Sequence, residues 1–213
     1  MLRTFAVLSA LALGSAGFAG ANVIGPGQTN APDTFSPTPS GYMNPLAQTS
    51  GTITAMNPNS GNVQYTVDYH VGVFADANNV FCPGCLDFFY HFTNNGPGVN
   101  ERYSAYDFSG FLTDVGTNGS GTAPITVDRS LDGSVVGFNY TGAYTRDAGA
   151  SSSLLLIETN ATSYTAGTFT VQDGVAVTGV AYAPTVTPEP ASLALFGTGL
   201  LGVVGVVRRR FHV

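Results

Sequence analysis

Two cysteines, Cys82 and Cys85, are the residues of this sequence with the clearest capacity for chemistry. Only Pro83 and Gly84 separate them, and in an oxidising compartment such a pair can close a small disulfide ring. A redox-active pair would place its first cysteine at a helix N-terminus, which lowers the thiol pKa. Residues 86–92 instead alternate like a strand. We therefore predict a structural disulfide in a turn, with a redox role as the alternative.

Zinc is a further alternative for the same cysteines, because His70 and His91 flank them and could complete a Cys₂His₂ set. The spacing of the four residues follows no zinc-finger pattern, and a disulfide would consume both thiolates. We therefore predict no metal ligand among these residues. Each histidine is expected to be a polar, outward-facing residue of its strand.

The carboxylates offer candidates for hydrolysis or calcium binding, but the sequence singles out no pair. Glycoside hydrolysis requires two carboxylates about 5 to 10 Å apart, and no Gly-x-Ser-x-Gly motif of a serine hydrolase is present. Calcium is an open possibility at residues 76–79, although no Asp-x-Asp-x-Asp-Gly loop occurs. No catalytic residue, metal or cofactor is assigned. Solvation or capping is the expected role of the acids in turn-like or outward positions, Asp87, Asp107, Asp114, Asp128 and Asp147.

The elements that would position these residues read as short strands. Apolar residues alternate with polar ones over residues 63–73 and 86–92, a period of two that is typical of half-buried strands. Asp132-Gly133 between two apolar runs predicts a hairpin. The remaining strand candidates are residues 103–112, 153–158, 164–172 and 175–182. Seven or eight such strands over residues 51–185 predict an all-β, antiparallel β-sandwich, with a jelly roll as a variant.

Composition limits the kind of protein and its partners. The chain has 213 residues, 44% hydrophobic and only 9% charged, and it contains no lysine. Between residues 22 and 187, three arginines stand against twelve acids, which gives a formal charge of −9. Binding to a phosphate backbone depends on Lys and Arg. Nucleic acid is therefore excluded as a partner, and one domain after a Pro/Ser/Thr-rich lead-in (residues 22–50) is expected.

The N-terminal residues predict a secretory signal peptide over residues 1–21. Arg3 supplies a positive charge, residues 5–13 form an apolar run, and small residues follow, which is the layout of a signal helix that signal peptidase removes. Cleavage is expected after Ala21, or otherwise after Ala19. The secretion machinery is thus a predicted partner, and the body is expected to fold outside the cytoplasm.

The C-terminal residues predict a sorting and anchoring segment over residues 186–213. Pro188, Glu189 and Pro190 precede an uncharged run, residues 191–207, that is at the short end of what crosses a bilayer as a transmembrane helix. The cluster of Arg208, Arg209 and Arg210 follows directly, and positive charge there holds that end on the cytoplasmic side. The body would then face the exterior.

This order of Pro-Glu-Pro, apolar run and arginine cluster resembles the C-terminal sorting signal of PEP-CTERM proteins. The resemblance implies an exosortase as processing partner, a membrane-embedded transpeptidase that is thought to cut near the Pro-Glu-Pro of its substrates. The inner membrane would serve as a transient anchor, and Pro188, Glu189 and Pro190 would be recognised rather than catalytic. Residues 108–115, 128–130 and 157–160 also resemble an uncharacterised group of PEP-CTERM proteins, for which no active site is implied.

Together these features predict an exported protein that is first anchored in the membrane and then located at the cell surface or outside the cell. We expect a non-catalytic cell-envelope or extracellular-matrix protein associated with exopolysaccharide. A carbohydrate-binding module is the first alternative, because ten tyrosines could supply aromatic platforms for sugars. A secreted hydrolase is the second.

Overall fold

The computed structural model describes residues 23–35, 38–119, 121–140 and 148–186. Within these residues the chain forms twelve β-strands and one 3-10 turn, Ser40–Met43. The strands are β1 (Thr29–Asn30), β2 (Asp33–Thr34), β3 (Ala47–Met56), β4 (Val63–Asp76), β5 (Cys85–Pro97), β6 (Arg102–Ala105), β7 (Thr113–Asn118), β8 (Thr126–Arg129), β9 (Val136–Asn139), β10 (Leu154–Thr159), β11 (Ser163–Asp173) and β12 (Val175–Thr185).

The strands form two six-stranded sheets. Sheet A has the order β2-β7-β10-β5-β4-β3, and sheet B has the order β1-β8-β9-β6-β11-β12. Neighbouring strands pair antiparallel, except that β2 runs parallel to β7. The all-β class predicted from the sequence is confirmed. The two sheets share one hydrophobic core, which is the layered arrangement expected of a sandwich.

Aromatic side chains fill the core between the sheets. Phe92 of β5 stacks on Tyr103 of β6 with ring centroids 4.1 Å apart, and it lies 5.1 Å from Phe169 of β11. Phe92, Tyr103 and Phe169 are almost completely buried, and each comes from a strand whose alternate residues point inward. Because rings from both sheets meet here, the aromatic contacts join the two layers.

A second, smaller apolar cluster lies on the outer face of sheet A. It consists of four buried side chains that lie beneath the partly buried Phe35 and Tyr42: Phe74, Phe89, Leu154 and Leu156. The ring of Tyr42 meets that of Phe89 edge-to-face at 4.9 Å. Strands β5 and β10 are therefore buried on both faces, which explains why the sequence of β10 reads as a continuous apolar run.

The cover over this outer face comes from the N-terminal part of the described chain. Backbone hydrogen bonds join Phe35 to Thr117 and Leu46 to Val73. A side chain at Gly41 would place its Cβ 2.4 Å from the carbonyl oxygen of Ala75, so glycine permits the 3-10 turn to approach β4 this closely. The segment predicted as a loose lead-in thus contributes β1 and β2 to the sheets and the beginning of β3.

Most of the predicted strands are present. The alternating segments form β4 and β5, the Asp132-Gly133 turn joins the paired β8 and β9, and β10, β11 and β12 follow as expected. The candidate at residues 103–112 ends instead at Ala105, because Asp107 adopts a positive φ of 73° that turns the chain. Four strands had no prediction, namely β1, β2, β3 and β7.

Among the described residues, no helix is long and apolar enough to span a membrane. The predicted signal helix (residues 1–21) and the predicted transmembrane helix (residues 191–207) both lie outside the described residues.

A buried arginine holds one end of the fold together. Arg129, at the end of β8, is only 5% exposed. All its donors find acceptors. Nε donates to Gly133 O at 3.0 Å, Nη1 to Ile24 O and Thr113 Oγ1 at 3.2 and 3.1 Å, and Nη2 to Phe108 O and Phe111 O at 2.9 and 2.8 Å. Three loops are thereby tied to one guanidinium.

Candidate functional site

Strand register brings a row of carboxylates together on the outer face of sheet A. Glu158 of β10 lies directly opposite Asp87 of β5 on one side and Asp114 of β7 on the other. Directly opposed residues on antiparallel strands have Cβ atoms about 4.5–5.5 Å apart. Asp76, at the end of β4, pairs with Cys85 of β5. Because Cys85 is two residues from Asp87 on that strand, Asp76 lies beside the same row of acids. Four acids far apart in sequence therefore meet at one end of the sheet.

Three of these acids form a compact group, which we call the acidic cluster: Asp76, Asp87 and Glu158. One carboxylate oxygen from each lies within 4.8 Å of those of the other two. The side chains are 3%, 0% and 4% exposed, respectively. The cluster is thus part of the protein interior, although it lies on the side of sheet A away from the main core.

The loop between β4 and β5 closes over the acidic cluster through Asn79. Its Nδ2 donates to Asp87 Oδ1 at 2.7 Å and to Thr159 O at 3.1 Å, while its Oδ1 accepts from the backbone amides of Phe81 and Cys82. The amide of Val80 donates to Glu158 Oε2 at 3.1 Å. One side of the cluster is therefore built by a short, ordered loop.

Burial and like charge raise the pKa values of Asp87, Glu158 and Asp114. Desolvation, followed by repulsion from Glu158, raises the pKa of Asp87 to about 9. The pKa of Glu158 is raised, mainly by desolvation. For Asp114, desolvation and then the charge of Asp33 raise the pKa to about 7. A buried carboxylate is stable as an anion only beside a compensating charge.

The described arginines do not supply that compensation. Arg102 forms a two-pronged ion pair with Asp128 at 2.7 and 3.0 Å, and the donors of Arg129 all go to the carbonyl and hydroxyl oxygens described above. Two buried carboxylate oxygens, Asp87 Oδ2 and Asp114 Oδ1, have no hydrogen-bond partner among the described residues. Such groups are costly unless something else binds them.

A pocket of about 400 Å³ opens beside the acidic cluster. Asp76 and Glu158 form part of its wall, and the hydroxyls of Thr34, Thr38 and Ser40 and the side chain of Asn78 also line it. The pocket gives solvent-sized species access to two of the three carboxylates. Phe35, Pro39 and Val80 complete the lining, so the pocket combines an apolar wall with oxygen-bearing side chains that could contact a hydrated cation or water.

The geometry limits the chemistry of the acidic cluster. Carboxylates this close can share protons or a cation. A glycosidase separates its two carboxyls by about 5 Å or more and leaves room for a sugar between them, whereas these oxygens are within 4.8 Å of one another and almost fully buried. The arrangement has the spacing with which carboxylates can share a proton or hold a cation.

The cysteines and histidines singled out from the sequence lie in separate places. Cys82 and Cys85 are in contact through their sulfur atoms, with Cα atoms 5.3 Å apart, a separation that a disulfide spans. His70 pairs with His91 in the β4–β5 register, six residues along β5 from Cys85, or about 20 Å. The alternative of a Cys₂His₂ zinc site therefore has no support, and the disulfide remains a prediction consistent with the close cysteine pair.

The remaining predicted residues lie outside the described residues. They are the signal-cleavage residues Ala19 and Ala21, the sorting motif Pro188, Glu189 and Pro190, and the arginines Arg208, Arg209 and Arg210. Asp147 is outside as well.

The sequence reasoning did not find the acidic cluster. Asp87 and Asp114 do face away from the main core, but they are buried at 0% and 1% exposure rather than solvated, because residues 33–35 and 38–46 and the loop after β4 cover this face. The sequence suggested calcium only for the contiguous loop of residues 76–79, and not for a site that joins Asp76 to acids of other strands. A usable signal was present in Asp87 and Glu158, which are acids placed inside or at the end of strongly apolar runs.

Comparison with known proteins identifies the C-terminal segment. Residues 186–210 match the model of the PEP-CTERM protein-sorting motif. No curated protein and no solved structure is similar enough to the chain to be matched. The motif implies an exosortase as processing partner and a secreted precursor that passes through the membrane. The chain therefore carries the PEP-CTERM protein-sorting motif at its C-terminus.

Proposed function

We propose that this PEP-CTERM protein is a non-catalytic component of the cell envelope or extracellular matrix, associated with exopolysaccharide after its tail has been processed. The sorting motif at residues 186–210 carries the proposal, because it directs the body to the outside of the cell. The body would act as a stable, hydrated β-domain on that side of the membrane.

The outer face of sheet A supports a structural role. Away from the acidic cluster, polar side chains of β3 and β4 form hydrogen bonds with each other, and a side chain of β5 forms one with the loop before β10. The pairs are Thr52 with Asp68 at 2.5 Å, Thr54 with Thr66 at 3.3 Å, His70 with Gln48 at 2.9 Å and Thr93 with Ser151 at 2.8 Å. Such cross-strand pairs stabilise a sheet, and their remaining hydrogen-bonding capacity suits contact with a hydrated polysaccharide.

The distribution of tyrosines gives less support to a carbohydrate-binding module with an aromatic platform. Tyr65, Tyr90, Tyr103 and Tyr140 are buried in the core. Among the described tyrosines, Tyr164 alone reaches 36% exposure, and it meets Tyr182 edge-on at 5.8 Å. One exposed ring is a small surface for stacking on a sugar. The buried, closely spaced acidic cluster likewise gives little support to a hydrolase.

Mass spectrometry of the mature protein from hosts with and without exosortase tests the sorting step. We expect a C-terminus near Pro188-Glu189-Pro190 only when exosortase is present, and loss of that cut when the three residues are replaced by alanine. Pro184→Ala, in β12, is the matched control and should leave processing unchanged. A chain that still ends at Val213 in both hosts would contradict the proposal.

Retention on exopolysaccharide from the host tests the association. The full chain, purified after export, should be retained on immobilised exopolysaccharide, and Tyr164→Ser should leave the retention unchanged. Absence of retention would count against the association. A loss of about tenfold or more in Tyr164→Ser would instead favour the carbohydrate-binding module.

A further inference from the structure

We propose that the acidic cluster of Asp76, Asp87 and Glu158 is a calcium-binding site that joins strands β4, β5 and β10. This inference is independent of the proposed association with exopolysaccharide. It departs from the expectation of no metal, which was based on motifs contiguous in the sequence.

The ligand set fits a hard cation. All three side chains offer carboxylate oxygens within 4.8 Å of one another, and the cluster contains no thiolate or imidazole. Oxygen-only sets suit Ca²⁺, Mg²⁺ or Mn²⁺ rather than the softer transition metals. Ca²⁺ accepts six to eight oxygens in flexible geometry, and the polar wall of the adjoining pocket, with Asn78 and Thr38, can supply carbonyl, hydroxyl or water oxygens for the remainder.

A second observation indicates that the cluster holds a ligand. Asp87 is completely buried, and its Oδ2 has no hydrogen-bond partner among the described residues, while Oδ1 accepts from Asn79. The carboxylate therefore has one oxygen held in place and one left open within a group of three acids. A cation would satisfy this oxygen and remove the repulsion among the three charges.

Hydrogen bonds from the surrounding structure orient all three ligands before a cation arrives. Val80 N donates to Glu158 Oε2 and Asn79 Nδ2 donates to Asp87 Oδ1, which leaves the other oxygen of each carboxylate available. Asp76 Oδ1 accepts from Asn78 N at 3.0 Å. These hydrogen bonds orient the ligands as outer-sphere partners do at other metal sites.

The expected affinity suits the destination of a PEP-CTERM protein. Extracellular calcium modules have dissociation constants of about 10⁻⁴–10⁻³ M. A body with such a site gains stability where calcium is abundant, because a ligand that binds only the folded state lowers the unfolding equilibrium constant by the factor 1 + [L]/Kd. Calcium would therefore stabilise the body after export.

Denaturant unfolding of the full chain, purified after export and freed of metal with EDTA, tests this site. With CaCl₂ at 10 mM we expect the unfolding equilibrium constant to fall by about 10- to 100-fold, and calorimetry should detect Ca²⁺ binding. NaCl at the same ionic strength should have a much smaller effect. Equal effects of the two salts, or identical stability in EDTA and in CaCl₂, would overturn the proposal and leave protons as the only compensation.

Two variants and one control locate the site. Asp87→Asn and Glu158→Gln should each weaken Ca²⁺ binding by tenfold or more and remove the calcium-dependent stabilisation. Asp68→Asn is the matched control, because Asp68 is an exposed acid of the same strand as Asp76. If a substitution prevents folding in EDTA, direct Ca²⁺ binding by the other variant decides. Undiminished binding in both variants would contradict the assignment.

Discussion

The body buries charge in two regions and treats it in opposite ways. Arg129 is 5% exposed and donates to five oxygens, so the structure satisfies this cation completely. The acidic cluster buries three carboxylates within 4.8 Å of one another and leaves an oxygen of Asp87 open. A buried charge with all its partners serves structure, whereas one without them indicates a missing proton or ligand.

Among the tests of this comparison, replacing Arg129 should cause the largest loss in the free energy of unfolding. Arg129→Ala leaves five oxygens without their donor, and we expect the free energy of unfolding to fall by about 3–5 kcal/mol in a urea titration. Arg129→Lys is the control, because it keeps the charge but has only three donors, and its loss should be intermediate. CaCl₂ should not restore the difference. A loss below about 1 kcal/mol in Arg129→Ala would show that the arginine is not the structural centre.

The second-largest loss in the free energy of unfolding is expected from a change in the loop that closes the acidic cluster. Asn79→Ala removes the donor to Asp87 Oδ1 and the acceptor of the Phe81 and Cys82 amides, so we expect a loss of about 1–3 kcal/mol. Faster hydrogen exchange of those two amides should accompany it. Asn78→Ala is the matched control, because Asn78 contacts Asp76 through its backbone amide. Equal losses in the two variants would contradict the role of Asn79.

The ion pair between Arg102 and Asp128 in sheet B should contribute less to stability than Arg129 does. Arg102 and Asp128 have side chains 28% and 26% exposed, so water screens them more than Arg129. A double-mutant cycle with Arg102→Ala and Asp128→Ala should give a coupling energy of about 0.2–1 kcal/mol, decreasing as salt is added. A coupling as large as the Arg129→Ala loss would mean that exposure does not separate these two arginines.

The smallest effect on stability is expected for Asp132, an exposed acid whose carboxylate accepts several hydrogen bonds. Its carboxylate accepts from Ser130 Oγ and from the amide and hydroxyl of Ser134, and these bonds lower its pKa to about 2. Because the folded-state pKa lies below the ordinary aspartate value of 3.8, this stabilisation is present above about pH 4 and is lost as the pH falls toward 2.

Carbon-13 NMR titration of the Asp132 carboxyl measures this directly. The midpoint should lie near 2 in the native protein, and replacing both Ser130 and Ser134 by alanine should raise it. A midpoint that stays unchanged in the double variant would show that the hairpin hydrogen bonds are not the cause. The result would complete the contrast between the exposed, hydrogen-bonded Asp132, whose pKa is lowered, and the buried Asp87 and Glu158, whose pKa values are raised.

Local pattern was sufficient for most of the long strands, with the ten-residue β3 as the exception. The alternation that forms β4 and the Asp132-Gly133 turn between β8 and β9 are visible in the sequence, because both depend on residues close together in the chain. The short strands β1 and β2 were not predictable, since two residues carry no period. They exist because residues 29–34 find partners in β8 and β7, between 83 and 99 residues away.

The sequence by itself determined the all-β class and the sorting motif at residues 186–210, which the comparison confirmed. Both are written in contiguous residues, as an alternation of side chains in one case and as a short linear signal in the other. Only the tertiary structure decided the acidic cluster. Asp76, Asp87 and Glu158 meet because strand register and the N-terminal cover place them together, and no local pattern records which strands become neighbours or which outward faces are buried.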